Sequence, residues 1–120
     1  MSKRVLICGD RNYSNAELIR FWIAKLQDRS YDTVIEGEAK GADSIARDEA
    51  EKAGLLVDPY PASWNLYGRA AGAIRNTKML KEGKPDLVVA FNTNIKNSKG
   101  TKNMIEQAKK AGIEVILIEE

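Results

Sequence analysis

Short, nearly unbroken runs of Val, Ile and Leu recur along this chain, and segments of helical period fill the intervals between them. That alternation constrains the fold more than any other feature. The runs are RVLICG (Arg4 to Gly9), DTVIEG (Asp32 to Gly37), LLVDPY, which stops at Pro59, DLVVAF (Asp86 to Phe91) and the terminal EVILIE. A strand with one wet face alternates apolar and polar residues. A parallel strand covered on both faces does not. Helical patterns fall at Ser14 to Arg29, Gly41 to Gly54, about Leu66 to Lys81, and Gly100 to Gly112. The resulting βαβαβαβαβ order predicts an α/β domain, Rossmann-like and doubly wound, spanning residues 1–120. Its five-stranded parallel sheet is expected in order 3-2-1-4-5, with helices on both faces.

Local signals agree with that outline. Ser14 and Glu17 have the spacing of a capping box at the first helix, whose Leu18, Trp22, Ile23 and Leu26 share a face. Gly54 suits a left-handed cap on the second helix.

Composition mainly removes options. A chain of 120 residues supports one core without staples. Cys8 is the single cysteine and there is no histidine. An internal disulfide, a cysteine-cluster or His-ligated metal site and imidazole catalysis are therefore excluded. Asp10, Glu36 and Glu38 lie near strand ends, but no spacing demands Mg²⁺, and no metal or cofactor is expected. A net charge of +2, with signs mixed, does not point to nucleic acid. No run is long enough to span a membrane and no signal-peptide pattern opens the chain, so the cytoplasm is the expected compartment.

The predicted strand order puts a switch point between the first and fourth strands, where sheets of this kind bind ligands. The loops there are GDRNYS and NTNIKNSKGT. The second leaves its strand at Asn92 and enters a helix at Gly100-Thr101, beside Ser98 and Lys99. Free N–H groups and the helix dipole favour an anion there, by about 0.3–1 kcal/mol for one surface charge. Gly9, Asp10 and Arg11 form the facing loop, where Arg11 can clamp a phosphate or carboxylate. EGEAKGAD supplies Gly37, Lys40, Gly41 and Asp43, and matches neither the dinucleotide fingerprint nor a P-loop. WNLYGRAAGAIRNTKM carries Trp64 and Tyr67, able to stack on a base or sugar, then a small-sided helix flanked by Arg69, Arg75 and Asn76. Glycine inside a helix costs about 1 kcal/mol against alanine, so something is expected to approach closely. Capping, core packing and solvated arginines would account for the same residues in a chain that binds nothing.

Taken in order, GDR, GEAKGAD, PASW, YGRAAGAIRN and the GT opening the fourth helix resemble the SLOG superfamily, in its YspA/cpYpsA-related branch. The resemblance spans nearly the whole chain and is most specific in GRAAGAIRN. It implies a Rossmann-like fold binding nucleotides or nucleotide-derived ligands. The related Lonely Guy phosphoribohydrolases cut the N-glycosidic bond of nucleoside 5′-monophosphates with an Arg and a Glu. Arg75 looks similar to that Arg. Met104 stands where the Glu would fall, Glu106 faces elsewhere, and the P-G-G of the family's turn is absent. Other SLOG domains sense immune signals such as cyclic ADP-ribose-like molecules, which small phage-borne versions would sequester as anti-defence proteins in the host cytoplasm. Relatives also pair so that sites borrow residues, which implies a homodimer or higher homo-oligomer.

Three readings stay open at this stage. The chain binds its ligand unchanged, or hydrolyses it with Arg75 and one of Glu36, Glu38 or Asp43, or is a structural dimer without a ligand.

Overall fold

The computed structural model describes residues 2–120. Strands β1 (Arg4–Gly9), β2 (Thr33–Glu36), β3 (Leu56–Pro59), β4 (Leu87–Phe91) and β5 (Val115–Ile118) form one parallel sheet ordered β3-β2-β1-β4-β5. This is the order expected from the sequence. Around it lie helices α1 (Ala16–Asp28), α2 (Ala42–Lys52), α3 (Trp64–Tyr67), α4 (Ala71–Gly83) and α5 (Lys99–Lys110).

Successive residues of a strand point to opposite faces, and here both faces are dry. Val5, Ile7, Val34, Val89 and Phe91 meet α1 and α2, through Ile19, Ile23, Leu26 and Ala42, Ala46, Ala50. Leu6, Cys8, Ile35, Val88 and Ala90 meet α4 and α5, through Met79, Leu80, Met104 and Ala108. Each large side chain buried this way contributes about 1.5–3 kcal/mol. The edge strand β3 is different: Leu56 is 68% exposed and Pro59 blunts further pairing.

Three local expectations need correction. The cap of α1 is Asn15, whose Oδ1 accepts from Leu18 N–H at 3.1 Å, and not Ser14. Both residue types cap well, and the helix starts one residue later than the capping-box spacing implies. The third helical segment is not continuous. Gly68 at φ +55° separates α3 from a 3-10 turn, Gly68–Ala70, that leads into α4. A residue in that backbone region ends a right-handed helix. Finally, α5 begins at Lys99, after a second 3-10 turn at Ile95–Asn97. Among the described residues, no helix is long and apolar enough to cross a membrane.

Candidate functional site

At the carboxyl ends of β1 and β4 the sheet opens into a cleft of about 540 Å³. Crossovers leave β1 toward one helical layer and β4 toward the other, so their loops part and nothing fills the space.

One wall is the start of α5. Its first N–H groups have no partners within the helix, and no side chain caps it. Thr101 is 4% exposed, and its Oγ1 accepts from Asn92 Nδ2 at 3.1 Å. The Ser98 and Thr101 hydroxyls share one hydrogen bond of 2.9 Å. Two hydroxyls carry two hydrogens, so one of them has no acceptor among the described residues, and both residues line the cleft. Asn76, from α4, ties this wall down by donating to Gly100 O at 3.2 Å and Asn103 Oδ1 at 3.1 Å.

The opposite wall is the loop after β2 with the first turn of α2. Asp43 is 5% exposed, and its Oδ2 accepts from Gly37 N–H at 3.1 Å and Ala39 N–H at 3.4 Å. Burial pushes its pKa up from 3.8; the Arg75 guanidinium, these backbone donors and Arg11 pull it back. Arg75 reaches over from α4 to donate to Gly37 O at 2.7 Å and to Asn76 Oδ1 at 3.1 Å. Its Nη2 has no hydrogen-bond partner among the described residues and lies near Gly72, at the cleft. Gly41 must be glycine. It sits at φ +75°, and a Cβ would come within 2.3 Å of Asp10 O. That close approach lets Ala42 N–H donate to Asp10 O at 3.1 Å and locks the two loops together.

The floor is the end of β1. Cys8 lines it, yet burial, with Asp43 adding, pushes its thiol far up, so it is an inert apolar group there. Across the mouth, Arg11 lies over the Trp64 ring, 5.4 Å from its centroid. Four cations, Arg11, Arg69, Arg75 and Lys99, line the cleft against two carboxylates, Asp10 and Asp43. That balance suits an anion.

Of the residues singled out in the sequence, Gly9, Asp10, Arg11, Asp43, Trp64, Arg69, Arg75, Asn76, Ser98, Lys99, Gly100 and Thr101 meet around this one cleft. Gly37, Gly41 and Asn92 lie behind it as supports. Lys40 and Tyr67 are exposed outside it. Of the carboxylates considered for catalysis, Glu38 is exposed at φ +55°, and Glu36 is wholly buried. Alternation along β2 sends Glu36 to the side of Val34, against α2. There its Oε2 accepts from Glu38 N–H at 3.0 Å, its Oε1 has no partner, and burial pushes its pKa up to about 7. Asp43 alone of the three faces the cleft. Met104, 1% exposed, lies in the cleft wall, while Glu106 is exposed outside it.

Asn12, Met79, Asn97 and Asn103 also line the cleft and were not anticipated. Helical spacing was the available signal for two of them: Met79 lies one turn beyond Arg75, and Asn103 one turn beyond Lys99.

The small-sided stretch has two uses. Ala71 is buried and, with Gly83 at the far end of α4, where a Cβ would come within 3.1 Å of Ile35, lets α4 close on the sheet. Gly72 and Ala73 instead keep the cleft open. A Cβ at Gly72 would make only ordinary contacts, the nearest 3.6 Å from Trp64.

The profile of the YspA, cpYpsA-related SLOG family matches residues 3–67, more than half of the chain. The chain belongs to that family. The matched part of this SLOG protein runs from β1 through α3 and holds the GDR and GEAKGAD loops. A curated relative, Gene 61 protein of Mycobacterium phage D29, is 36% identical over 121 residues, covering 95% of this chain and 94% of the relative. Among solved structures, DNA processing protein A (DprA) from Streptococcus pneumoniae superposes with a TM-score of 0.77 at 18% identity. That likeness shows a common fold. It covers 97% of this chain and 50% of DprA, so this chain spans about half of that protein.

Proposed function

We propose that this SLOG protein binds a nucleotide or nucleotide-derived signalling molecule by its phosphate and holds it without cleavage. The start of α5 carries the reading. Uncapped N–H groups and a hydroxyl hydrogen without an acceptor face a cleft lined by Arg11, Arg69, Arg75 and Lys99. The volume, about 540 Å³, suits a ligand of nucleotide size. Trp64 at the mouth offers a ring for a base or sugar. With Met104 in the cleft wall, Glu36 buried beneath the loop and Glu38 turned out, the site lacks the carboxylate of the related phosphoribohydrolases. Hydrolysis of a nucleoside 5′-monophosphate is the second reading, and it would have to run through Asp43 beside Arg75.

The phage relative supports a sequestering role in an infected cell's cytoplasm, with a cyclic ADP-ribose-like signal as one ligand of the right chemistry. Pairing of two copies accompanies binding. Exposed apolar side chains of α3 and α4, Leu66 and Ile74, are available for its contact.

The test is incubation with nucleoside monophosphates, NAD, ADP-ribose and cyclic ADP-ribose. Desalting, heating and mass spectrometry of both fractions follow, with Gly100→Asp alongside. Nothing lies within 4 Å of a Cβ at residue 100, so this variant keeps the fold while placing a carboxylate at the anion site. The expected result is intact nucleotide released from the wild type and at least about ten-fold less from the variant. Free base in the flow-through would establish the hydrolytic reading. Equal retention by both proteins would refute the anion site.

A further inference from the structure

The cleft holds one polar atom that an anion does not explain. Asp43 is 5% exposed and directs its carboxylate to the cleft wall, with both backbone hydrogen bonds received by Oδ2. Oδ1 has no partner among the described residues, and it is not sealed from solvent in the way that Glu36 Oε1 is. A side chain this buried, with one oxygen left over at the edge of a cavity, is set to meet a ligand group. A hydroxyl suits it better than the phosphate. An ionised carboxylate repels it, and the phosphate already has the α5 terminus. Those two features follow β2 and β4, on either side of β1, and line the same cleft. A sugar-phosphate presents a phosphate at one end and hydroxyls at the other, so it offers a group to each.

The geometry points to Asp43 as a specificity-determining residue that receives the ribose hydroxyls of the ligand and so separates ribonucleotides from forms that lack both hydroxyls. This rests on the phosphate-binding reading of the same cleft. A hydroxyl fits Oδ1 in either protonation state, because it both donates and accepts. A bare inorganic anion or a 2′,3′-dideoxyribose leaves Oδ1 to water alone. A hydrogen bond to a charged group sets the size of the preference, roughly ten- to a hundred-fold in Kd.

Calorimetric titration tests it, using the four ribonucleoside 5′-monophosphates, their 2′,3′-dideoxy analogues and inorganic phosphate. Wild type and Asp43→Asn are compared. The variant keeps an oxygen for Gly37 and Ala39, so the loop stays pinned. Wild type is expected to prefer at least one ribonucleotide over its dideoxy partner by ten-fold or more. In Asp43→Asn the hydroxyls meet a neutral amide instead of a carboxylate, so that preference falls several-fold while phosphate binds at least as tightly. Ribo and dideoxy forms binding wild type equally would overturn the inference and leave the phosphate site standing. No binding by any nucleotide or by phosphate would overturn both. The wild-type comparison needs no variant, so a misfolded Asp43→Asn protein does not shield the claim.

Discussion

Replacing Glu36 by Gln should change how stability depends on pH, and the size of the change follows from where the side chain lies. Glu36 is fully buried at the end of β2. Its Oε2 accepts one backbone N–H, Oε1 accepts none, and Asp43 and Glu38 repel its charge while only Arg47 opposes them. Burial is the largest cause of a folded-state pKa of about 7 against an ordinary 4.5. A raised acid is favourable to the fold while protonated. Its contribution is complete below pH 4.5, declines as pH rises, and is gone above about 7, where the native state carries a buried charge. At about 1.36 kcal/mol per pH unit, the loss is about 3 kcal/mol. Gln cannot ionise, so Glu36→Gln escapes that loss. Any fixed cost of the buried amide is the same at every pH and cancels. The stability difference, variant minus wild type, should therefore rise by about 3 kcal/mol between pH 4.5 and pH 8. Urea denaturation followed by tryptophan fluorescence at five pH values measures it. A difference that stays constant within about 0.5 kcal/mol would refute the claim that burial raises the Glu36 pKa in the folded state.

Two further outcomes test the scaffold under the cleft. Gly41→Ala puts a Cβ within 2.4 Å of two carbonyl oxygens at φ +75°, so it should lose about 3 kcal/mol or more. In a thermal melt that is a drop of roughly 10 °C, and an unchanged Tm would contradict the locked pair of loops. Asn15→Ala should cost about 1 kcal/mol in urea while Ser14→Ala costs a few tenths, since only Asn15 caps α1. The reverse ranking would restore the capping box.

The sheet was legible because short apolar runs such as DLVVAF, bounded by turn residues and alternating with helical segments, suit strands buried on both faces, while the order 3-2-1-4-5 was a choice among doubly wound arrangements. The cleft was legible as a consequence of that order: once β1 and β4 adjoin, their loops must line the opening. What sequence hid was direction. Glu36 and Asp43 are both acids beside a glycine-rich loop, yet strand alternation buries one against α2 and the first helical turn aims the other at the cleft. The break at Gly68 was hidden too, because glycine is compatible with both a small-sided helix and a positive φ. Ser14 and Asn15 are adjacent capping residues, and only the position of the first helical turn chooses between them.

The glycines around the cleft divide into two kinds, and the division bears on how such proteins diversify. Gly9 and Gly41 are pressed against backbone atoms, the former with a Cβ position 2.0 Å from Phe91 O, so neither can change without moving loops. Gly72 and Gly100 face open or ordinary space. A Cβ can be added at these two cleft-lining positions without pressing on the loop locks. Ligand preference in this scaffold is thus separable from foldability. Small substitutions at Gly72 or Gly100 therefore offer a route to altered ligand preference that leaves the pressed glycines in place.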